Sequence, residues 1–258
     1  MIPLEIYYIL LAVFGAVLGS FFNVCIFRIP RKESIANIPS HCPKCNHKIT
    51  PIQNIPIFSY IFLKGRCKQC KARIPIRYLI VEVLAILLFV FIFRFYNNSL
   101  NIVYAKYLTL FSFGLIIFFI DIEHKIIPDS LSFPLILLGV GFSLFKSVDV
   151  HFMQSLIGTG SGFFLFLLIA YFCSKSLKKD CLGGGDIKLI AALGSFLGLY
   201  GILISIFFAS VLAICTLIVI RHDLKKEFPF GPFLILGTLM YTFLGETLIR
   251  LYLSLWNL

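Results

Sequence analysis

Long apolar runs separated by short basic segments are the feature that most restricts the fold of this 258-residue chain. A run of about 20 apolar residues is long enough for a helix to cross a bilayer, and lipid requires each segment to satisfy its own backbone hydrogen bonds. Only 14% of the residues are charged and 59% are hydrophobic, whereas soluble domains are about 25% charged. The sequence therefore predicts an all-α polytopic membrane protein.

The apolar runs predict about eight transmembrane helices. The stretch that follows Asp186 is too long for one span, and we divide it in two because Gly198, Tyr200 and Gly201 offer a break. The predicted helices cover Ile6–Phe27, Tyr78–Tyr96, Ile102–Ile120, Leu131–Phe145, Phe152–Cys173, Ile187 to about Leu199, about Ile202 to Ile220, and Phe230–Trp256.

The basic residues predict the orientation of these helices. Of the 23 Lys and Arg, nineteen lie in the segments 28–77, 121–130, 174–188 and 221–229. The positive-inside bias makes these segments cytoplasmic and places the N-terminus outside. Orientation in a bilayer thus explains the net charge of +11, and we expect no nucleic-acid partner.

Two aspartates fall at the cytoplasmic ends of predicted helices. Asp121 ends the third helix and Asp186 begins the sixth, 65 positions later. Two neighbouring carboxyl groups can share one proton. The ionised group can then activate a water, while the protonated group supports the oxyanion and protonates the leaving nitrogen. The alternative is that each aspartate only ends or caps a helix, a role for which Asp186 is well placed.

Two C-x2-C pairs mark the predicted cytoplasmic loop. This loop, 28–77, lies between a first helix in 1–27 and a membrane core in 78–258. The spacing of the pairs is typical of a structural zinc site. The predicted ligands are Cys42, Cys45, Cys67 and Cys70. Two disulfides are one alternative, which a cytoplasmic location disfavours; a loop of reduced, uncoordinated thiols is another.

The segments around these features resemble the type IV prepilin peptidases, membrane aspartyl peptidases with a GxGD motif. The resemblance rests on D-x6-P-D from Asp121, on G-x-G-D-x-K-L from Gly183, and on Gly-Ser-Phe-Phe-Asn-Val from Gly19. It covers most of residues 15–198 and implies that Asp121 and Asp186 are the catalytic pair. It gives supporting roles to Gly183, Gly185, Lys188, Glu123, Pro128 and Asp129. We expect Pro128 to end the segment after the third helix, so that the next helix starts near Asp129.

The resemblance also implies a substrate and a second activity. Long members of the family cleave a short basic leader from type IV prepilin or pseudopilin precursors at the cytoplasmic face of the inner membrane. They then N-methylate the new N-terminal residue with S-adenosylmethionine. No glycine-rich nucleotide-binding fingerprint is present. Asn23 and Glu82 are candidates for the methyl-donor site, and ordinary polar residues at the membrane interface are the alternative interpretation.

Two other classes of protein fit part of the pattern. An ion-coupled transporter would use intramembrane acids, but the chain has no internal repeat and both aspartates lie at one end of the membrane core. A scaffold that recruits a partner through its zinc loop leaves Gly-Gly-Gly-Asp without a role. No catalytic motif is found in residues 200–258.

Overall fold

A computed structural model describes residues 3–36, 39–177, 183–220 and 228–255 of the chain. These residues form eight α-helices and two short 3-10 turns, with no strand among them. The α-helices are α1 (Leu4–Arg28), α2 (Phe58–Phe62), α3 (Arg77–Phe95), α4 (Ile102–His124), α5 (Asp129–Phe142), α6 (Phe152–Leu177), α7 (Gly184–Ile220) and α8 (Gly231–Leu255).

The predicted all-α membrane architecture is confirmed. Within the described residues, α1, α3, α4, α6 and α7 are long and apolar enough to cross a membrane, and α5 is a shorter apolar helix. Their outer faces carry exposed apolar side chains such as Phe164 and Ile218, as a lipid environment requires. The eight predicted apolar runs lie mainly in seven helices, since two of them share α7; α5 ends at Phe142, three residues before the predicted end at Phe145, and Trp256 lies outside the described residues. The number of spans and the side on which the loop lies stay predictions.

The chain separates into two compact units, Met1–Leu108 and Thr109–Leu258. In the first unit, α1 packs against α3 through glycines one helical turn apart. A Cβ at Gly15 would lie 3.0 Å from the Cα of Ile86, and one at Gly19 would lie 2.8 Å from the Cα of Glu82. Glycines spaced in this way let membrane helices approach closely, which brings the α1 backbone next to Glu82.

In the second unit, α5, α6 and α8 pack around α7. Gly158 of α6 crosses Gly194 of α7 so closely that a Cβ on either would collide with the carbonyl oxygen of the other. Gly237 of α8 packs in the same way on the backbone at Ser205. Since lipid supplies no hydrophobic driving force between helices, this close packing holds the bundle together.

Helix α7 changes direction at Gly198, one of the residues where the sequence predicted a break. Gly198 has φ 70° and ψ −176°, a region that is essentially restricted to glycine. At 1.5 Å per residue, the 37 residues of α7 would extend about 55 Å as one straight helix, well beyond a hydrocarbon core of about 30 Å.

Helix α5 begins at Asp129, directly after Pro128, as the sequence predicted. The carbonyl oxygen of Pro128 accepts the N–H groups of Leu131 and Ser132, which closes the first turn. Pro128 therefore ends the short loop after α4 and fixes the position at which α5 starts.

Candidate active site and cysteine cluster

The termini of four helices meet in the second unit. Asp121 lies in the last turn of α4, Asp129 begins α5, Asp186 lies in the first turn of α7, and Gly231 begins α8. Ile127, in the loop between α4 and α5, packs against Gly185 and Gly231, where Cβ atoms would lie 2.9 and 3.1 Å from its side chain. Residues far apart in sequence thus surround a single site.

Asp121 is almost completely buried, with 4% of its surface exposed. Its Oδ2 accepts the backbone N–H of Gly231 at 3.0 Å. The first N–H groups of a helix have no partner within the helix and carry partial positive charge. The start of α8 therefore supplies a donor suited to a carboxylate.

Asp186 lies close enough to Asp121 for the two carboxyl groups to interact electrostatically. It is half-buried, and its backbone N–H donates to the carbonyl oxygen of Gly183 at 3.1 Å. A side chain at Gly183 would crowd Asp186 Oδ2, and one at Gly185 would crowd Ile127. The glycines of Gly-Gly-Gly-Asp let the start of α7 approach the α4–α5 loop.

Lys188 and Asp129 form an ion pair beside the two carboxyl groups. Lys188 Nζ lies 2.6 Å from Asp129 Oδ1, and the side chains are 30% and 57% exposed. Such exposed pairs contribute about 0.2–1 kcal/mol, so the pair links the starts of α5 and α7 without adding much stability. Glu123 is exposed on the last turn of α4. The supporting roles predicted for these motif residues stay predictions.

Gly231 belongs to this site, although sequence analysis found no motif in residues 200–258. The overlooked signal is Pro229-Phe230-Gly231-Pro232, which precedes the last apolar run. Pro is favoured at the start of a helix because the N–H it lacks would have no partner within the helix, and the N–H of the preceding glycine stays available to an acceptor outside the helix. The predicted topology places this end of the run on the same membrane face as Asp121, but the segment has no carboxylate that would indicate a catalytic role.

The four cysteines predicted to bind metal form one cluster in the first unit. Their Sγ atoms lie within 4.8 Å of one another, and those of Cys42 and Cys70 are 3.8 Å apart. Ligands at 2.3 Å around a tetrahedral zinc are about 3.8 Å apart. All four are free thiols, which is contrary to the disulfide alternative, and the donor set can hold a metal ion.

Two similar turns build the cluster. The N–H of Cys42 donates to the carbonyl oxygen of His47, and the N–H of Cys67 donates to that of Ala72. The residue after the second cysteine of each pair, Asn46 or Lys71, has a left-handed backbone. Backbone N–H groups of Cys70 and Gln69 lower the pKa of Cys67 to about 7, so its thiolate is available to a metal near neutral pH.

Asn23 and Glu82, the candidates for the methyl-donor site, line one cavity. They are 2% and 8% exposed. The cavity has a volume of about 310 Å³ and is bounded by the end of α1, the start of α3 and the cysteine loop. The structure therefore brings the two residues together, while their role stays a prediction.

Comparison with known proteins gives two family matches and several close relatives. Residues 13–96 match the bacterial peptidase A24 N-terminal domain, and residues 108–218 match the type IV leader peptidase family. A protein of Dichelobacter nodosus named prepilin leader peptidase/N-methyltransferase is 35% identical over 90% of this chain and 89% of its own length.

Two further relatives carry the same name. The protein of Aeromonas salmonicida strain A449 is 33% identical over 96% of this chain and 94% of its own length. The protein of Neisseria gonorrhoeae is 35% identical over 90% of this chain and 89% of its own length. No solved structure matches the chain significantly.

Proposed function

The chain belongs to the type IV leader peptidase family, and we propose that it removes the leader of prepilin-like precursors with Asp121 and Asp186 and then N-methylates the new N-terminus. The meeting of these two residues, from different helices, at one cluster of helix ends carries the proposal, because it brings their carboxyl groups close enough to interact electrostatically. Substrates of this class have a short basic leader followed by an apolar helix, which would lie in the bilayer beside the enzyme.

The two carboxyl groups share one proton in the proposed reaction, because both cannot readily ionise at short range. The ionised group takes a proton from water as the water oxygen attacks the peptide carbonyl. The protonated group donates to the developing oxyanion and then protonates the leaving nitrogen. The N–H of Gly231 holds Oδ2 of Asp121, which fixes this carboxyl group and leaves Oδ1 available to water or substrate.

We place this chemistry at the cytoplasmic surface of the inner membrane. The candidate site is built from the end of α4 and the starts of α5, α7 and α8, so it lies where membrane helices terminate. The distribution of Lys and Arg puts this end of the helices on the cytoplasmic side. A basic leader emerging from the membrane on that side can reach the carboxyl groups without crossing the bilayer.

We assign a structural Zn²⁺ to the four-cysteine cluster. Four thiolates in two turns match the preferred ligands and geometry of this ion, and a site with four protein ligands is closed to substrate. The ion would hold together a loop whose described residues contain only one short α-helix, α2.

The second activity uses S-adenosylmethionine, whose bound sulfonium group supplies an electrophilic methyl carbon. The methyl acceptor would be the amine of the newly exposed N-terminal residue. Before cleavage this nitrogen belongs to a peptide bond, and its lone pair is delocalised into the carbonyl group. Cleavage must therefore come first, since it releases an amine whose neutral form has a free lone pair.

The test of the two-aspartate mechanism is leader cleavage by purified enzyme in lipid bilayers. Asp121→Asn and Asp186→Asn keep side-chain size but remove the titrating group, and each should lower kcat by about 10²–10⁴-fold. Asp149→Asn is the matched control, since Asp149 is an exposed carboxylate in the loop after α5, and it should cleave at the wild-type rate. A folded Asp121 or Asp186 variant with wild-type kcat would exclude the mechanism.

A further inference from the structure

The cavity between the end of α1, the start of α3 and the cysteine loop has no role in leader cleavage as described above. Its volume is about 310 Å³, which is in the range of small-molecule sites. Its lining includes the aromatic side chains of Phe27, Tyr60 and Tyr78, flat surfaces suited to a purine ring. Its polar groups show which molecule it fits.

Asn23 presents an unused hydrogen-bond acceptor to this cavity. Its Nδ2 donates to the carbonyl oxygen of Tyr78 at 2.9 Å. Its Oδ1 is buried and has no hydrogen-bond partner among the described residues. A buried acceptor without a partner destabilises a protein, so its persistence at a cavity wall points to a ligand that donates an N–H or O–H group.

Glu82 adds a buried carboxylate to the same wall. Its Oε2 accepts the backbone N–H of Ile57 at 2.7 Å. Ile57 has φ 63°, an unfavourable conformation for a β-branched residue, and strain of this kind is typically retained at functional sites. The loop backbone thus holds the Glu82 carboxylate in place, where a positively charged ligand can approach it.

The exposed part of the lining is basic. Lys44, Lys68 and Arg73 are exposed residues that line the cavity. Two charged residues of the lining are buried: the acid Glu82, and Arg28, whose guanidinium donates to the carbonyl oxygens of Ser34 and Pro39. A ligand that fits this arrangement has a cationic centre, an aromatic ring system with N–H donors, and a carboxylate directed towards solvent. S-adenosylmethionine has all three.

We propose that this cavity binds S-adenosylmethionine, with Glu82 against the sulfonium group and Asn23 Oδ1 accepting a hydrogen bond from an N–H of the ligand. The inference rests on the proposed methyltransferase function and assigns its donor site. The cysteine cluster contributes Cys42 and Cys67 to the cavity wall, so the metal-binding turns also shape the donor site.

Calorimetric titration of the purified full-length enzyme with S-adenosylmethionine and with S-adenosylhomocysteine tests the assignment. The second ligand has a neutral sulfur. Glu82→Gln should weaken S-adenosylmethionine binding about tenfold but S-adenosylhomocysteine binding less than about threefold. Asn23→Leu should weaken both about three- to tenfold, because the lost acceptor is common to them. Glu5→Gln, an exposed change in the first turn of α1, should leave both affinities unchanged.

The results of these titrations distinguish an error in the donor-site assignment from an error in the proposed methyltransferase function. If wild type neither binds the donor nor methylates a cleaved precursor, the proposed methyltransferase function fails and the site with it. If wild type does both, but folded Glu82→Gln and Asn23→Leu bind like wild type, the donor binds elsewhere and the site assignment is wrong. Size-exclusion behaviour and metal content of each variant establish that it is folded.

If either variant misfolds, ultraviolet cross-linking of isotope-labelled S-adenosylmethionine to the wild-type enzyme tests whether the donor binds in this cavity. Label on peptides that contain residues 20–28 or 72–82 supports the assignment. Label confined to peptides outside the cavity lining overturns it.

Discussion

Gly231 shows how much one residue without a functional side chain determines at the candidate active site. Its N–H donates to Asp121 Oδ2, and a Cβ would lie 2.6 Å from the same oxygen. Gly231→Ala should therefore displace the Asp121 carboxylate and lower the rate of leader cleavage by about tenfold or more, since small misplacement of catalytic groups is costly.

Gly160→Ala is the control for this prediction. Gly160 lies inside α6, and a Cβ added there would have no neighbouring atom within 4 Å, so the substitution should leave cleavage unchanged. Steady-state cleavage of a precursor by both variants is the measurement. Equal rates for Gly231→Ala and wild type would show that the close approach of Gly231 to Asp121 is not needed to position this carboxylate for catalysis.

The sequence indicates the two candidate carboxyl groups, Asp121 and Asp186, but not the backbone N–H group that contacts one of them. Asp121 and Asp186 were identified because acids at the ends of apolar helices are rare and costly. Gly231 was missed because its contribution is a backbone N–H, and any non-proline residue has one. Asn23 and Glu82 were identified as polar residues near the membrane, but that they line the same cavity depends on tertiary packing.

Among the helices, α7 depends most on a single backbone conformation. Gly198 has φ 70° and ψ −176°, and the nearest atom to a Cβ there would be 3.6 Å away. Space is therefore available for a methyl group, and the obstacle is the backbone. Gly198→Ala should lower the free energy of unfolding by about 1–3 kcal/mol, measured by denaturant titration in detergent; a loss no larger than that of Gly160→Ala would contradict this explanation.

We expect the fold of the cysteine loop to depend on a bound metal ion. Cys42→Ser replaces one of four clustered thiols and should lower the bound zinc from about one per chain to well below one. It should also make residues 39–76 more sensitive to protease, because bound metal stabilises a small loop domain. Cys215→Ser is the control, since Cys215 is an exposed free thiol. Unchanged metal content in Cys42→Ser would exclude the cluster as the zinc site.

Element types were predicted well because their signals are local. Helices in the apolar runs, the start of α5 after Pro128 and the break at Gly198 each follow from a few neighbouring residues. The loop was harder: two C-x2-C pairs predict a metal cluster, yet they contain no information about the strained turn at Ile57 that positions Glu82.

For the whole molecule, the Lys and Arg distribution predicts the orientation on which the proposed function depends. Alkaline phosphatase is active only outside the cytoplasm, so a fusion after Asn98 should be active and one after Thr50 inactive. The reason is that the positive-inside bias retains the 28–77 segment, with its 11 basic residues, on the cytoplasmic side. The phosphatase activities of the two fusions are compared at equal expression levels. Activity of the Thr50 fusion with none for the Asn98 fusion would show that every helix has the opposite orientation. Asp121 and Asp186 would then lie on the outer face, where a leader retained in the cytoplasm could not reach them. This result would exclude the proposed reaction.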